Sequence, residues 1–130
     1  GQAVRGRRWG RQHMRVLIVD DHAANRQLPA AILRKLGCEI AEAESGEAAL
    51  AHLALHDVDC VLLDISMPGL SGEEVCERIR ADPRLQRLKV IAYTAHAMQS
   101  DEARIMRAGF DHLLVKPISR AALLAAVGLG

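Results

Sequence analysis

Four short runs of consecutive apolar residues, each followed by a polar or charged residue, most constrain how this chain can fold. The runs cover residues 16–19, 61–63, 90–93 and 113–115. Apolar runs of this length, without alternation, are typical of strands buried on both faces, as in a parallel sheet covered by helices. A weaker run at residues 38–43 follows Gly37 and predicts an edge strand.

The segments between these runs carry helix signals. Leu28, Ile32 and Leu36 have the spacing of one helical face, which predicts an apolar stripe on a helix over residues 24–36. Ser71 and Ser119 are predicted to cap the starts of two further helices. The remaining helices are expected over residues 47–55 and 98–108. Five strands alternating with five helices predict an α/β, doubly wound fold with a five-stranded parallel sheet.

The charge divides the chain into a short arm and one domain. The whole chain has 130 residues and a formal net charge of +1, but residues 1–13 contain four arginines and no acid. That arm is therefore +4, and the remaining residues are −3. We interpret residues 1–13 as a linker or expression scar, with nucleic-acid contact as the less favoured alternative. Residues 14–130 are expected to form a single domain, and no apolar run is long enough for a membrane span.

The three cysteines indicate a reducing compartment. Cys38, Cys60 and Cys76 are odd in number and lack the spacing of metal-binding pairs. Each lies in an apolar or helical segment, so we expect buried free thiols and a cytoplasmic protein.

The polar residues that end the strong runs are expected to meet at one edge of the sheet. They are Asp20 and Asp21, Asp64, Thr94 and Lys116. The carboxyl ends of parallel strands share an edge, where such folds bind ligands. Three neighbouring carboxylates repel one another, and a single lysine cannot balance them. Mg²⁺ can, because it favours carboxylate oxygens together with a phosphate oxygen.

This combination suits phosphoryl transfer. A carboxylate can attack phosphorus while a lysine, a hydroxyl and a cation stabilise the phosphoryl oxygens. Lys116 is then expected to pair with the Asp64 carboxylate before the reaction and with its phosphoryl group afterwards.

Four segments give the chain a family resemblance. "LIVDDH", "LLDISMPGLSG", "AYTAHAM" and "LLVKPI" occur in this order between residues 17 and 118, and the resemblance extends over about residues 15–127. In these segments the chain resembles the receiver domains of two-component response regulators, which have a CheY-like, flavodoxin-like sheet of order 2-1-3-4-5. "TAHAM" and "DHAANR" are most similar to receivers of hybrid sensor kinases.

The resemblance implies a role for each site residue. Asp64 would be the phospho-acceptor, and Mg²⁺ would be bound by Asp20, Asp21, Asp64 and the backbone carbonyl of Ser66. Thr94 and Lys116 would bind the phosphoryl group, and the bond between Lys116 and the following proline would be cis. The phosphodonor partner would be a sensor histidine kinase or a histidine phosphotransfer domain. Such a domain is a signalling module that catalyses only its own phosphotransfer and dephosphorylation, and nucleic-acid or membrane partners are not implied.

Two rival functions use similar residues. An aspartate-nucleophile phosphohydrolase needs a second aspartate two residues after the nucleophile, and Ser66 occupies that position. A flavodoxin-like cofactor binder needs a phosphate-binding loop after the first strand, where Asp20 and Asp21 would repel phosphate.

The histidines leave their roles open. His96 could contact the phosphoryl site or lie without a role at its rim. His22 could ligate a softer metal, although we favour a loop role. His52 and His56 are interpreted as part of a solvated helix face.

Overall fold

The structure, a computed structural model, describes residues 14–95 and 99–129. The basic arm, His96 and the expected start of the fourth helix at Met98 lie outside these residues. Within them are the strands β1 (Arg15–Val19), β2 (Glu39–Ala43), β3 (Cys60–Asp64), β4 (Lys89–Thr94) and β5 (His112–Val115). The helices are α1 (Ala23–Lys35), α2 (Gly46–Leu55), α3 (Gly72–Ala81), α4 (Gln99–Arg107) and α5 (Arg120–Val127).

The strands form one parallel sheet in the order β2-β1-β3-β4-β5. This confirms the expected α/β fold and the strand order that the resemblance implied. The chain reverses its winding direction between β1 and β3, so the loops after these two strands border the same crevice. Asp20 and Asp64 lie at that crevice.

Side chains alternate between the two faces of the sheet and divide the core in two. One apolar cluster contains Leu17, Leu63 and Ala92, and the other contains Ile18, Leu62 and Tyr93. Alternate residues of a strand lie on the same face of the sheet. By this alternation Thr94 lies on the face of the first cluster, and four other residues lie on the face of the second: Asp20, Asp64, Tyr93 and Lys116. Most of the polar residues at the strand ends therefore lie on one face of the sheet, at its carboxyl edge.

The helix ends follow the local signals in the sequence. The Ser71 hydroxyl accepts from the Glu74 N–H while the Glu74 carboxylate accepts from the Ser71 N–H, which forms a capping box at α3. Ser119 caps α5 in the predicted way, with its hydroxyl accepting from the Ala122 N–H at 3.0 Å. Gly37 follows α1 with a φ of 88°, a conformation in which a side chain would be strained.

The predicted apolar face of α1 is only partly correct. Ile32 is half-buried against the second cluster, but Leu28 and Leu36 are 52% and 37% exposed, and the helix instead buries Pro29, Ala30 and Leu33. The cause is Arg26, whose guanidinium donates to the Asp20 carbonyl at 2.6 Å and to the Glu42 carboxylate at 2.7 Å. Residues 26, 30 and 33 lie on one helical face, so this anchor turns Ala30 and Leu33 towards the sheet.

Two further expectations concern burial. Cys38, Cys60 and Cys76 are buried free thiols, as predicted. Burial raises the pKa of Cys60 to about 12 and that of Cys76 to about 11, so both stay protonated and unreactive. Among the described residues, every helix is too short or too polar to cross a membrane.

Candidate functional site

The carboxyl edge of the sheet brings together the predicted site residues. Asp20 and Asp21 follow β1, Asp64 ends β3, Thr94 ends β4 and Lys116 follows β5. Asp20, Asp64 and Thr94 are buried, with exposed fractions of 0%, 4% and 3%. Buried polar side chains require hydrogen-bond or charged partners, so the contacts of these residues define the geometry of the site.

Lys116 pairs more closely with Asp20 than with Asp64. Its Nζ lies 3.0 Å from Oδ2 of Asp20 and 3.6 Å from Oδ2 of Asp64. The expected pairing of this lysine with Asp64 is present, and Asp20 is a second and closer partner. Asp20 is the more buried carboxylate and gains more from a direct cation. The ammonium group bridges the two acids and lies within a short movement of Asp64.

Asp20 is held ionised by donors on both of its oxygens. Oδ1 accepts from the His22 N–H at 2.9 Å, and Oδ2 accepts from the Tyr93 hydroxyl at 2.8 Å as well as from Lys116. Burial alone would raise the pKa of Asp20, but these hydrogen bonds and the Lys116 charge outweigh it and lower the pKa below its ordinary value. A permanent negative charge at this position can attract a cation.

The pKa of Asp64 is shifted in the opposite direction. Burial raises its pKa above the ordinary value, and the charges of Asp20 and Asp21 raise it further. The Ser66 N–H, which donates to Oδ1 at 2.9 Å, and the Lys116 charge oppose this rise without cancelling it. An ionised Asp64 is consequently a high-energy carboxylate, as a nucleophile requires.

A close approach beneath Asp64 requires glycine. A Cβ atom on Gly72 would lie 2.7 Å from the Asp64 carbonyl oxygen and 2.6 Å from the Cα of Ile65. The start of α3 therefore packs directly against the backbone of the β3 end. Any larger residue at position 72 would displace the Asp64 backbone.

Asp20 and Asp21, together with His22, form a cluster that could bind a cation. Ligand atoms of Asp20, Asp21 and His22 all lie within 4.8 Å of one another. The Asp21 side chain is 27% exposed, and its Oδ1 lies 3.2 Å from Nδ1 of His22, whose side chain is 71% exposed. The carboxylate oxygens of this cluster suit a hard cation such as Mg²⁺, whereas the His22 nitrogen suits softer metals. The residues present therefore fit the metal that the sequence predicts.

Thr94 and Lys116 are tied together through the backbone. The Lys116 N–H donates to the Thr94 carbonyl at 2.8 Å, and Thr94 is in register with Val115. The Lys116–Pro117 peptide bond is cis, as the resemblance implied. The hydroxyl-bearing strand end and the lysine-bearing strand end are thus adjacent.

Two site residues were missed from the sequence. Tyr93 is fully buried and donates to Asp20, and Arg26 holds the Asp20 carbonyl. Tyr93 could have been found, because strand alternation places it on the same side as Asp64 and a buried tyrosine hydroxyl needs a polar partner. Arg26 has no comparable signal, since arginines in a first helical turn are common.

Replacing Asp64 with asparagine is expected to stabilise the metal-free protein. A raised folded-state pKa means that ionising Asp64 costs folding free energy. That cost is absent below the unfolded pKa of about 3.9 and fully present above the raised folded pKa. At pH 7 in EDTA, Asp64→Asn should raise Tm, and in a domain of this size each 1 kcal/mol of relieved cost shifts Tm by about 4 °C. The gain should shrink as the pH falls towards 4; a gain independent of pH would contradict the argument.

The fold and this edge define a CheY-like α/β domain. The family description "Response regulator receiver domain" matches residues 16–128. The chain therefore belongs to the response regulator receiver domain family, and the resemblance seen in the sequence is confirmed.

Known proteins place the chain more closely within that family. It is 38% identical over 116 residues to the sensor protein GacS of Pseudomonas syringae, covering 87% of this chain but only 13% of GacS. It is 37% identical over 113 residues to the chemotaxis protein CheY-3 of Vibrio cholerae, covering 86% of this chain and 87% of CheY-3. The chain is thus homologous both to a receiver within a much longer sensor protein and to a protein of about its own length.

A solved structure matches the fold. The receiver domain of a sensor histidine kinase from Pseudomonas aeruginosa superposes with a TM-score of 0.79 at 31% identity, covering 89% of this chain and 98% of that one. That receiver domain was determined with a magnesium ion coordinated in its active-site cleft.

Proposed function

We propose that this chain accepts a phosphoryl group on Asp64, in a Mg²⁺-dependent reaction, and changes conformation to pass on a signal. The observation that carries the proposal is the lysine bridge: Nζ of Lys116 lies 3.6 Å from Asp64 and 3.0 Å from Asp20. A buried acid of raised pKa, a cation within reach and an adjacent acidic pair are the parts that phosphoryl transfer to a carboxylate needs.

The reaction follows from the chain's own residues. A carboxylate oxygen of Asp64 attacks the phosphorus of a phosphohistidine, the new O–P bond forms as the P–N bond breaks, and the electron pair returns to the donor imidazole. The ammonium of Lys116 moves the short distance towards Asp64 and pairs with the incoming phosphoryl oxygens. The Thr94 hydroxyl, on the neighbouring strand end, is the proposed second donor to that group.

Mg²⁺ would be held by Asp20, Asp21, Asp64 and the Ser66 carbonyl. When bound, it would neutralise the carboxylates and the phosphoryl oxygens, so that the anionic donor can approach an anionic pocket. The supporting observations are the carboxylates of Asp20 and Asp21, which cluster with His22, and the magnesium in the related Pseudomonas aeruginosa receiver.

The proposed donor is a sensor histidine kinase or a histidine phosphotransfer domain. GacS, a sensor protein, supports this class of partner. We propose that residues 14–130 form the receiver domain and that residues 1–13 are a linker or an expression scar. The buried free thiols fit the cytoplasmic location that we propose for this reaction.

Incubation with acetyl phosphate tests the proposal. With Mg²⁺, intact-mass spectrometry should show one added phosphoryl group that is stable in acid and lost in base, as expected of an acyl phosphate. In EDTA the addition should fall to background. Absence of the adduct with Mg²⁺ would reject the proposal. Repeated turnover of a chromogenic phosphate ester would instead favour a phosphohydrolase.

A further inference from the structure

Tyr93 contacts both charged partners of the site but belongs to the core. Its side chain is fully buried, and its hydroxyl donates to Oδ2 of Asp20 at 2.8 Å. Nζ of Lys116 lies 4.6 Å from the centroid of its ring. One side chain thus offers a hydrogen bond to the carboxylate and a π face to the ammonium.

The hydrogen bonds to Asp20 fix how its carboxylate is turned. Lys116 and Tyr93 both donate to Oδ2, and the His22 N–H donates to Oδ1. A carboxylate with donors on both oxygens cannot rotate without breaking a bond. Of the two donors on Oδ2, Lys116 also lies 3.6 Å from Asp64 and is therefore the donor that can turn towards that acid. Tyr93, packed in the core, is the donor that stays when the lysine turns to a phosphoryl group.

The ring of Tyr93 limits where that lysine can go. An ammonium over an aromatic face is attracted by the electron-rich ring, and the attraction is larger when the pair is shielded from water. The Lys116 side chain is 21% exposed. The ring therefore favours a position of Nζ between Asp20 and Asp64 over positions in solvent.

We propose that Tyr93 is a positioning residue of this site: its hydroxyl sets the orientation of the Asp20 carboxylate for the divalent cation, and its ring holds Lys116 between the two acids. The inference rests on the proposed function and adds to it a residue that acts through Asp20 and Lys116. The substitution Tyr93→Phe separates these two roles, because phenylalanine keeps the ring and lacks only the hydroxyl.

The hydroxyl should matter more for Mg²⁺ than for Ca²⁺. Mg²⁺ demands near-ideal octahedral geometry, whereas Ca²⁺ tolerates a loose arrangement of oxygens. Loss of a hydrogen bond that orients a ligand typically weakens metal binding by 10-fold or more. In Tyr93→Phe we therefore expect the Kd for Mg²⁺ to rise about 10-fold and the Kd for Ca²⁺ to rise clearly less.

The ring should matter for the phosphorylation rate. At saturating Mg²⁺, Tyr93→Phe is expected to react with acetyl phosphate faster than Tyr93→Leu, because the phenyl ring still offers Lys116 its π face. Tyr93→Leu loses both functions and should remain slower even when the metal site is full.

Calorimetric titration of the wild type and both variants with MgCl₂ and CaCl₂ tests the proposal, together with the acetyl phosphate rate. The matched control is Phe110→Leu, which removes a buried ring from the other core cluster. It should lower Tm without changing the ratio of the Mg²⁺ and Ca²⁺ affinities. An unchanged Mg²⁺ affinity in Tyr93→Phe, or an equal loss for both cations, would overturn the role of Tyr93. A wild type that fails to bind Mg²⁺ would overturn the proposed function itself, and this inference with it.

Discussion

Asp64→Asn is expected to abolish phosphorylation by acetyl phosphate, a complete loss at any Mg²⁺ concentration. The amide nitrogen of asparagine is not a nucleophile towards phosphorus, and its oxygen lacks the negative charge that attack requires. The exchange is nearly isosteric, and the amide oxygen can still accept from the Ser66 N–H, which donates to Asp64 at 2.9 Å. The protein should stay folded, so the loss reports on chemistry. Intact-mass spectrometry with and without acetyl phosphate measures it directly.

Asp57→Asn provides the matched control. Asp57 precedes β3, at the end of the strand opposite Asp64, and its side chain is 80% exposed. The same chemical change at this position should leave phosphorylation at the wild-type level. Phosphorylation of Asp64→Asn equal to that of Asp57→Asn would place the acceptor on another residue.

Mg²⁺ is expected to stabilise the wild-type protein, and Asp21→Asn to remove most of that stabilisation. A cation bound only by the folded state adds about 1.4 kcal/mol at ten times its Kd, which raises Tm by about 5 °C in a domain of this size. The stabilisation arises because the cation relieves repulsion among Asp20, Asp21 and Asp64, the same repulsion that helps to raise the pKa of Asp64. Asp21 is the least buried of the three and is accessible to a hydrated cation.

Differential scanning calorimetry over a range of MgCl₂ concentrations tests this prediction, with equal ionic strength maintained by NaCl. Asp57→Asn should respond to Mg²⁺ as the wild type does, because an exposed carboxylate at the opposite end of β3 takes no part in the site. A wild-type Tm that does not change with millimolar Mg²⁺ would count against the metal site. An undiminished response in Asp21→Asn would remove Asp21 from it.

Local patterns in the sequence were enough to predict the strands and helices and several of their ends. Three of the four strong apolar runs became the central strands β1, β3 and β4, because a strand buried on both faces must be apolar throughout. The fourth run became β5, an edge strand in which Val115 is 49% exposed. The capping residues Ser71 and Ser119 start helices where predicted, since a cap depends on atoms within four residues. The positions of Asp20, Asp64 and Lys116 at strand ends, and hence their meeting at one edge, followed from the parallel order of the sheet.

The tertiary structure alone decided which of these groups touch. Lys116 and Asp20 are 96 residues apart in the chain, and their 3.0 Å contact depends on how the strands and loops pack. The face that α1 buries was likewise set by a distant anchor, the contact of Arg26 with Asp20 and Glu42, which overrides the apolar spacing of Leu28 and Leu36. The sequence determined which residues reach the site because periodicity is local. It predicted the pairing of Lys116 with Asp64 but not the closer contact with Asp20, because differences of a few tenths of an ångström between remote side chains depend on the packing of the whole core.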